Sequence, residues 1–362
     1  MTAGNIMLLS GRQNPFVGWV TVDEFEDLFA DLTGARVVTT IARPKLPGVI
    51  GRARDRLIGH VEMIKDVGDG ELLLIVARSP ADLRALYSVK EWRGRFRYVV
   101  GYVIDAYHLD GFSCATRSFD HIFTTTQAGA ELVRTRYGVS SSVLRTGFDC
   151  LNWSSTSEDR SIDLLGFGRQ PQSVHCHFQR AFHRHDTSFL YLHSPIGATY
   201  GPAVWTERPM MLKLMQKAKL SLAFHLLVEP QGGRPVSMFL TSRWLESLAA
   251  GCVVVGRRPE GEMTDAMLNW ADATIELPDD MSACTGLLKE LAADSALLRR
   301  MRHRNVFEMC RQHDWRYRIR DILEHFGLPL PSKLHLDLVA LDRKVRWLTP
   351  FADDVAAPAS DG

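Results

Sequence analysis

Arg243 and Glu246 stand one helical turn apart in the segment Thr-Ser-Arg-Trp-Leu-Glu-Ser-Leu-Ala-Ala-Gly-Cys-Val-Val-Val-Gly-Arg at 241–257. A carboxylate so placed can accept from two neighbouring hydroxyls, and a guanidinium can donate to phosphate oxygens. Two plainer roles compete: a solvated glutamate on a helix face, and an i,i+3 ion pair that only steadies the helix. Asp105 and His108 follow the apolar run 97–104 and are of the types that transfer protons when their surroundings tune the pKa. Their plainer roles are a loop-fixing aspartate and a surface histidine. His175, Cys176, His177, His183, His185 and His193 gather metal-binding types, but at irregular spacing, whereas zinc sites favour pairs such as Cys-x-x-Cys. The apolar face of Phe178, Ala181 and Phe182 explains that stretch as an amphipathic helix, and no metal site is expected.

Elements must place these groups. Leu245, Leu248 and Ala249 recur at helical spacing, Gly251 stops the helix, and the β-branched run after Cys252 reads as a buried parallel strand. The loop after that strand, Gly256 to Glu262, could turn the amides around Gly261 toward a ligand, or be a plain surface turn. Upstream, 6–10 is a strand, 22–32 a helix with Phe25, Leu28, Phe29 and Leu32 on one face, and 35–41 a strand. Further strands fall at 71–77, 97–104, 120–125 and 141–144, with a helix at 127–137. The segment 152–160 is serine-rich and charged with few apolar anchors, and reads as the hinge between two domains. Strands at 162–168, 189–193, 220–225, 252–255 and 273–277 then alternate with helices at 208–217, 241–250, 283–292 and 296–312. Regular alternation of strand and helix predicts parallel α/β sheets.

The 241–257 string resembles the E-x-L-A-x-G-x-x-V-V element of the GT-B glycosyltransferases. It is nearest in form to the retaining group-1 families and, within them, to the CgeB-like transferases. Arg145-Thr146-Gly147-Phe148-Asp149 resembles the end of their first domain, and the strand ending at Gly168-Arg169 the start of their second. His313, Trp315 and Arg318 resemble a closing H-x-W-x-x-R pattern, read here as packing. The resemblance spans about 119–326. It implies a GT-B fold, two Rossmann-like domains facing across a cleft. Residues 1–152 would form an acceptor domain, 160–330 a nucleotide-sugar domain, and 331–362 a terminal helix returning to the first domain and a frayed tail. It further implies that Glu246 holds the ribose hydroxyls and that Arg169, with Arg243, meets the diphosphate. Gly261 would lie beside the donor, and Asp105 or His108 near the acceptor. The chain departs from the group-1 pattern at Met238, where many relatives carry a second glutamate for the donor sugar.

The whole composition fits a globular enzyme. A length of 362 residues suits two domains better than one core. A net charge of +1 gives no basic excess that would suggest a nucleic-acid partner. Arg93, Arg95 and Arg97 read as a solvated edge. No apolar run approaches the roughly 20 residues that span a bilayer. Six cysteines without paired spacing suit a reducing cytoplasm. The expected activity is metal-independent, cofactor-free transfer of a sugar from a nucleoside-diphosphate sugar to the hydroxyl of a glycan, lipid-linked or small-molecule acceptor. Peripheral membrane contact is compatible with such acceptors. A non-hydrolysing nucleotide-sugar epimerase and an inactive transferase-like binding protein are the alternatives.

Overall fold

The computed structural model describes residues 5–12, 15–41, 48, 62–64, 67–193, 199–224 and 239–353. Met238, His225 and the tail 356–362 lie outside these. Two parallel sheets organise the chain. The first contains β1 (Ile6–Ser10), β2 (Arg36–Thr39), β3 (Gly70–Ala77), β4 (Phe96–Val103), β5 (His121–Thr124) and β6 (Ser140–Val143), in the order β2-β1-β3-β4-β5-β6. The second contains β7 (Ile162–Gly166), β8 (Tyr191–His193), β9 (Ala218–Ala223), β10 (Val253–Gly256) and β11 (Ile275–Glu276), in the order β11-β10-β9-β7-β8. The central strands are continuous apolar runs such as Leu72–Ala77 because both of their faces are buried. In each sheet the direction of winding reverses beside the first strand, between β1 and β3 and between β7 and β9. Ligands of open α/β sheets bind outside the carboxyl ends of strands at such a reversal.

The chain forms two compact units, Met1–Thr146 with Arg318–Leu336, and Gly147–Tyr317 with Asp337–Gly362. The division at Gly147 falls before the serine-rich stretch expected to be the hinge. That stretch is fastened to the second unit instead. Ser155 N donates to the Ala249 carbonyl at 3.1 Å, and the buried Arg160 guanidinium donates to the carbonyls of Ser155, Ser157 and Ala250. One arginine thus supplies the anchoring that the stretch lacks in apolar residues. The return to the first unit is likewise made by 318–336, ahead of the segment expected from 331. Its His325 ring lies 4.1 Å from that of His121, tilted by 51°, and Phe326 lies 4.8 Å from Tyr98.

Most predicted elements are present, with shifted ends. The 127–137 helix is α-helical over Gln127–Leu132 and relaxes into a wider turn, Val133–Tyr137, before Gly138. The helix expected to start just ahead of Pro209 begins earlier and runs through the proline, Ala203–Gln216. Ser242–Ala249 ends at Gly251, whose φ of +80° and contact with the Ser155 carbonyl leave no room for a Cβ. Cys252 is buried, as expected of a small core residue.

Candidate functional site

In the second unit the winding reversal lies beside Phe167-Gly168-Arg169, immediately after β7. Gly168 has φ +69°, and a Cβ there would collide with Nη2 of Arg243. The Arg243 guanidinium therefore packs closely against this turn. Its Nη1 donates to the Arg169 carbonyl at 2.6 Å, and its Cζ sits 5.4 Å from the Phe167 ring centre. Burial lowers the Arg243 pKa to about 10, with Glu246 pulling it up and the charge of Arg169 pushing it down. Arg243 Nε and Thr241 Oγ1 are both buried with no hydrogen-bond partner among the described residues. Both sit at the amino end of the Ser242–Ala249 helix, where unpaired N–H groups and the helix dipole favour an anion. Trp244 is fully buried and fixes the helix that carries them. Arg169 itself is exposed.

Glu246 is 3 % exposed, and its Oε1 accepts from Arg208 Nη2 at 2.8 Å. It is thus no solvated surface glutamate. Nor is its hydrogen-bonded cation Arg243, one turn away; that partner comes from the Ala203–Gln216 helix. Arg169, Arg243 and Glu246 are therefore gathered around one helix end. Gly261 lies apart from them, after β10, two strands from β7. Its φ of +116° requires glycine, and its carbonyl accepts from Asp265 N at 3.1 Å.

In the first unit, Asp105 and His108 follow β4. Asp105 is half-buried and accepts from the Tyr107 hydroxyl at 3.3 Å, while His108 is exposed with its ring 4.2 Å from that of Tyr107. The reversal of this sheet is one strand away, at β1 and β3, and holds a charged cluster that the sequence reading missed. Glu26 Oε2 accepts from Ser10 Oγ at 2.6 Å and from Arg12 Nε at 2.7 Å. Asp23 Oδ1 accepts from Arg78 Nη2 at 2.6 Å. Asp23 and Glu26 are both buried. Burial pushes the Glu26 pKa up to about 7, with the Ser10 hydroxyl and Arg12 opposing. The available signal was two acids one turn apart on the helix that directly follows the first strand.

Three of the clustered histidines meet around Tyr191, His183 being exposed and His175 and His193 half-buried. His193 lies 4.5 Å from the His175 ring and 5.2 Å from that of His183. His175 Nδ1 is bonded to the Tyr191 hydroxyl at 3.0 Å, and His183 Nε2 to the Tyr191 carbonyl at 2.9 Å. Among the described residues, no group of three or more His, Cys, Asp or Glu is placed to hold a metal ion. Arg93 and Arg97 of the basic stretch pair with Asp120 and Glu71 at the surface. Trp315 is buried, and Arg318 Nε donates to the Arg145 carbonyl at 2.9 Å.

The architecture is that of the GT-B glycosyltransferases. An α-glucosyltransferase solved with UDP and a 13-mer DNA containing an A:G mismatch superposes with a TM-score of 0.56 at 14% identity. That match covers 90% of this chain and 100% of the other. A glycosyltransferase from Rickettsia africae ESF-5 gives a TM-score of 0.48 at 11% identity, over 89% of this chain and 97% of that one. SnogD from Streptomyces nogalater gives 0.45 at 12%, over 89% and 99%. In sequence, residues 174–324 match the family described as glycosyl transferase-like, which supports that general class. None of the curated proteins matches the sequence.

Proposed function

We propose that the protein transfers a sugar from a nucleoside-diphosphate sugar to an acceptor hydroxyl, without a bound metal. The supporting observation is the cradle after β7. There two guanidiniums, a helix amino end and an unsatisfied Arg243 Nε converge within a turn of the buried Glu246. Charge developing on a departing diphosphate is best met by fixed cations and amides of this kind. Arg169 and Arg243 take the phosphates and Glu246 the ribose. Gly261 lies on the donor side, and Asp105, ahead of His108, is the group assigned to the acceptor proton. The alternative reading, a protein that binds nucleotide sugars without transfer, rests on Met238 in place of the second glutamate.

Thermal stability in the presence of uridine, guanosine, adenosine or thymidine diphosphate tests the site. One nucleotide at a hundred times its dissociation constant adds about 2.7 kcal/mol. Arg243→Gln removes that gain, and a gain that survives the substitution refutes the cradle. With the matching nucleotide sugar and no acceptor, slow release of free sugar supports transfer. No turnover supports the binding protein, and an isomeric donor the epimerase.

A further inference from the structure

A second cluster of cations lies at the other end of the second sheet, where β7, β9 and β10 begin. Arg160 precedes β7, and its guanidinium donates to carbonyls that close two helices: Ala250 at 2.7 Å, Met215 at 3.4 Å, and Ala218. Ser157 accepts at 3.0 Å and Ser155 at 3.2 Å. Its charge is met by carbonyl dipoles. Arg302, on the Ser295–Gln312 helix, has no such company. It is 5 % exposed, its stem fills the space beside Gly251, and its Nε is buried without a partner. No side-chain hydrogen bond or ion pair of Arg302 occurs among the described residues.

The groups facing Arg302 are Arg160, Glu158, Cys252, Arg299 and His303. Glu158 is the only carboxylate of these, and it is bound to Arg299 at 2.7 Å. Burial raises the Cys252 thiol, which therefore adds no negative charge. Burial, and next Arg160, lowers the Arg302 pKa to about 10, while burial and Arg302 lower that of His303. Three guanidiniums share one carboxylate. A largely buried guanidinium with no carboxylate bonded to it is costly to maintain, and its planar fork fits the oxygens of a phosphate.

We propose that Arg302, with Arg299 beside it, binds a small oxyanion of the phosphate class, free or as the phosphoryl group of a small metabolite. This is a second anion site, at the amino end of the sheet and separate from the cradle at Arg243. It does not depend on the protein being a transferase.

The test is a titration of melting temperature with inorganic phosphate, and in a parallel arm with glycerol phosphate, at ionic strength held constant with chloride. Wild-type protein, Arg302→Met, Arg243→Met (in which the cradle is disabled) and Arg243→Met/Arg302→Met are compared. The expected result is a saturating rise in melting temperature for wild type and, through the second site alone, for Arg243→Met, with the rise abolished in Arg243→Met/Arg302→Met. Without phosphate, Arg302→Met should melt no lower than wild type, since an uncompensated charge has been removed. A larger response to the ester than to phosphate assigns the site to a phosphorylated metabolite, and an equal response to the free ion. A response retained in Arg243→Met/Arg302→Met, abolished by Arg243→Met alone, or absent from wild type overturns the proposal.

Discussion

At the scale of single residues, Glu246 combines an observed structural pairing with Arg208 and the ribose-holding role proposed for it. Its position after Leu245 and its placement near a strand end were legible, because helix periodicity and the glycine stop are local. Its partner was not: Arg208 is 38 residues away and reaches it only through the fold. The two roles are separable by experiment. Removing either member of a buried pair leaves the other charged and enclosed, at a cost of about 3–5 kcal/mol, whereas replacing both with apolar groups is often neutral. Arg208→Met and Glu246→Met should each lower stability to denaturant by that amount. Arg208→Met/Glu246→Met should recover most of it, yet bind nucleotide diphosphate at least tenfold more weakly than wild type. A stable double variant with undiminished nucleotide affinity would show that Glu246 only holds the helix.

At the scale of elements, apolar runs and glycine stops gave nearly every strand and helix, since those signals lie within each segment. Side-chain chemistry across elements was hidden. His121 on β5 is gripped by Ser140 and Ser142 of β6, at 2.9 and 3.0 Å. The helix end at His325 covers it. Burial, and then His325, pushes the His121 pKa down to about 3, from 6.5. The unfolded chain therefore takes up this proton first, and stability is lost as pH falls from about 6.5 toward 3. Glu26 works the other way. Its pKa of about 7, against 4.5, means that the folded chain binds the proton first. Its contribution is complete below 4.5 and is lost as pH rises through about 7. The two effects oppose each other between pH 5 and 6.5, taking those limits as roughly the overlap of the two windows. In thermal melts at the two ends of that window, Glu26→Gln should lose more stability on acidification than wild type, and His121→Asn less. Parallel pH profiles for all three proteins would rule out both shifts.

At the scale of the whole molecule, two α/β units were legible from the rhythm of strands and helices, but the points where the chain changes unit were not. These points depend on one buried side chain. Arg316 donates to Asp149 at 2.7 Å, to Asp314 at 3.1 Å and to Asp337 at 2.7 Å. Asp149 follows the first change of unit, Asp314 precedes the second, and Asp337 follows the third. All four residues belong to the second unit, so one guanidinium ties its two stretches of chain together at the three points where the chain enters or leaves it. Asp314 is wholly buried and also accepts from Leu151 N at 2.9 Å. Arg316→Met leaves that carboxylate enclosed without its cation, at a cost of about 3–5 kcal/mol. A two-unit chain need not unfold in one step, so local hydrogen exchange is the fitting measure. Amides at 149–153 and 337–341 should exchange on the order of a hundredfold faster or more, since each 1.4 kcal/mol is a factor of ten. Those of β1, β3 and β4 should keep wild-type protection. Equal loss of protection in both units, or none in either, would mean that the crossings are held by something other than Arg316.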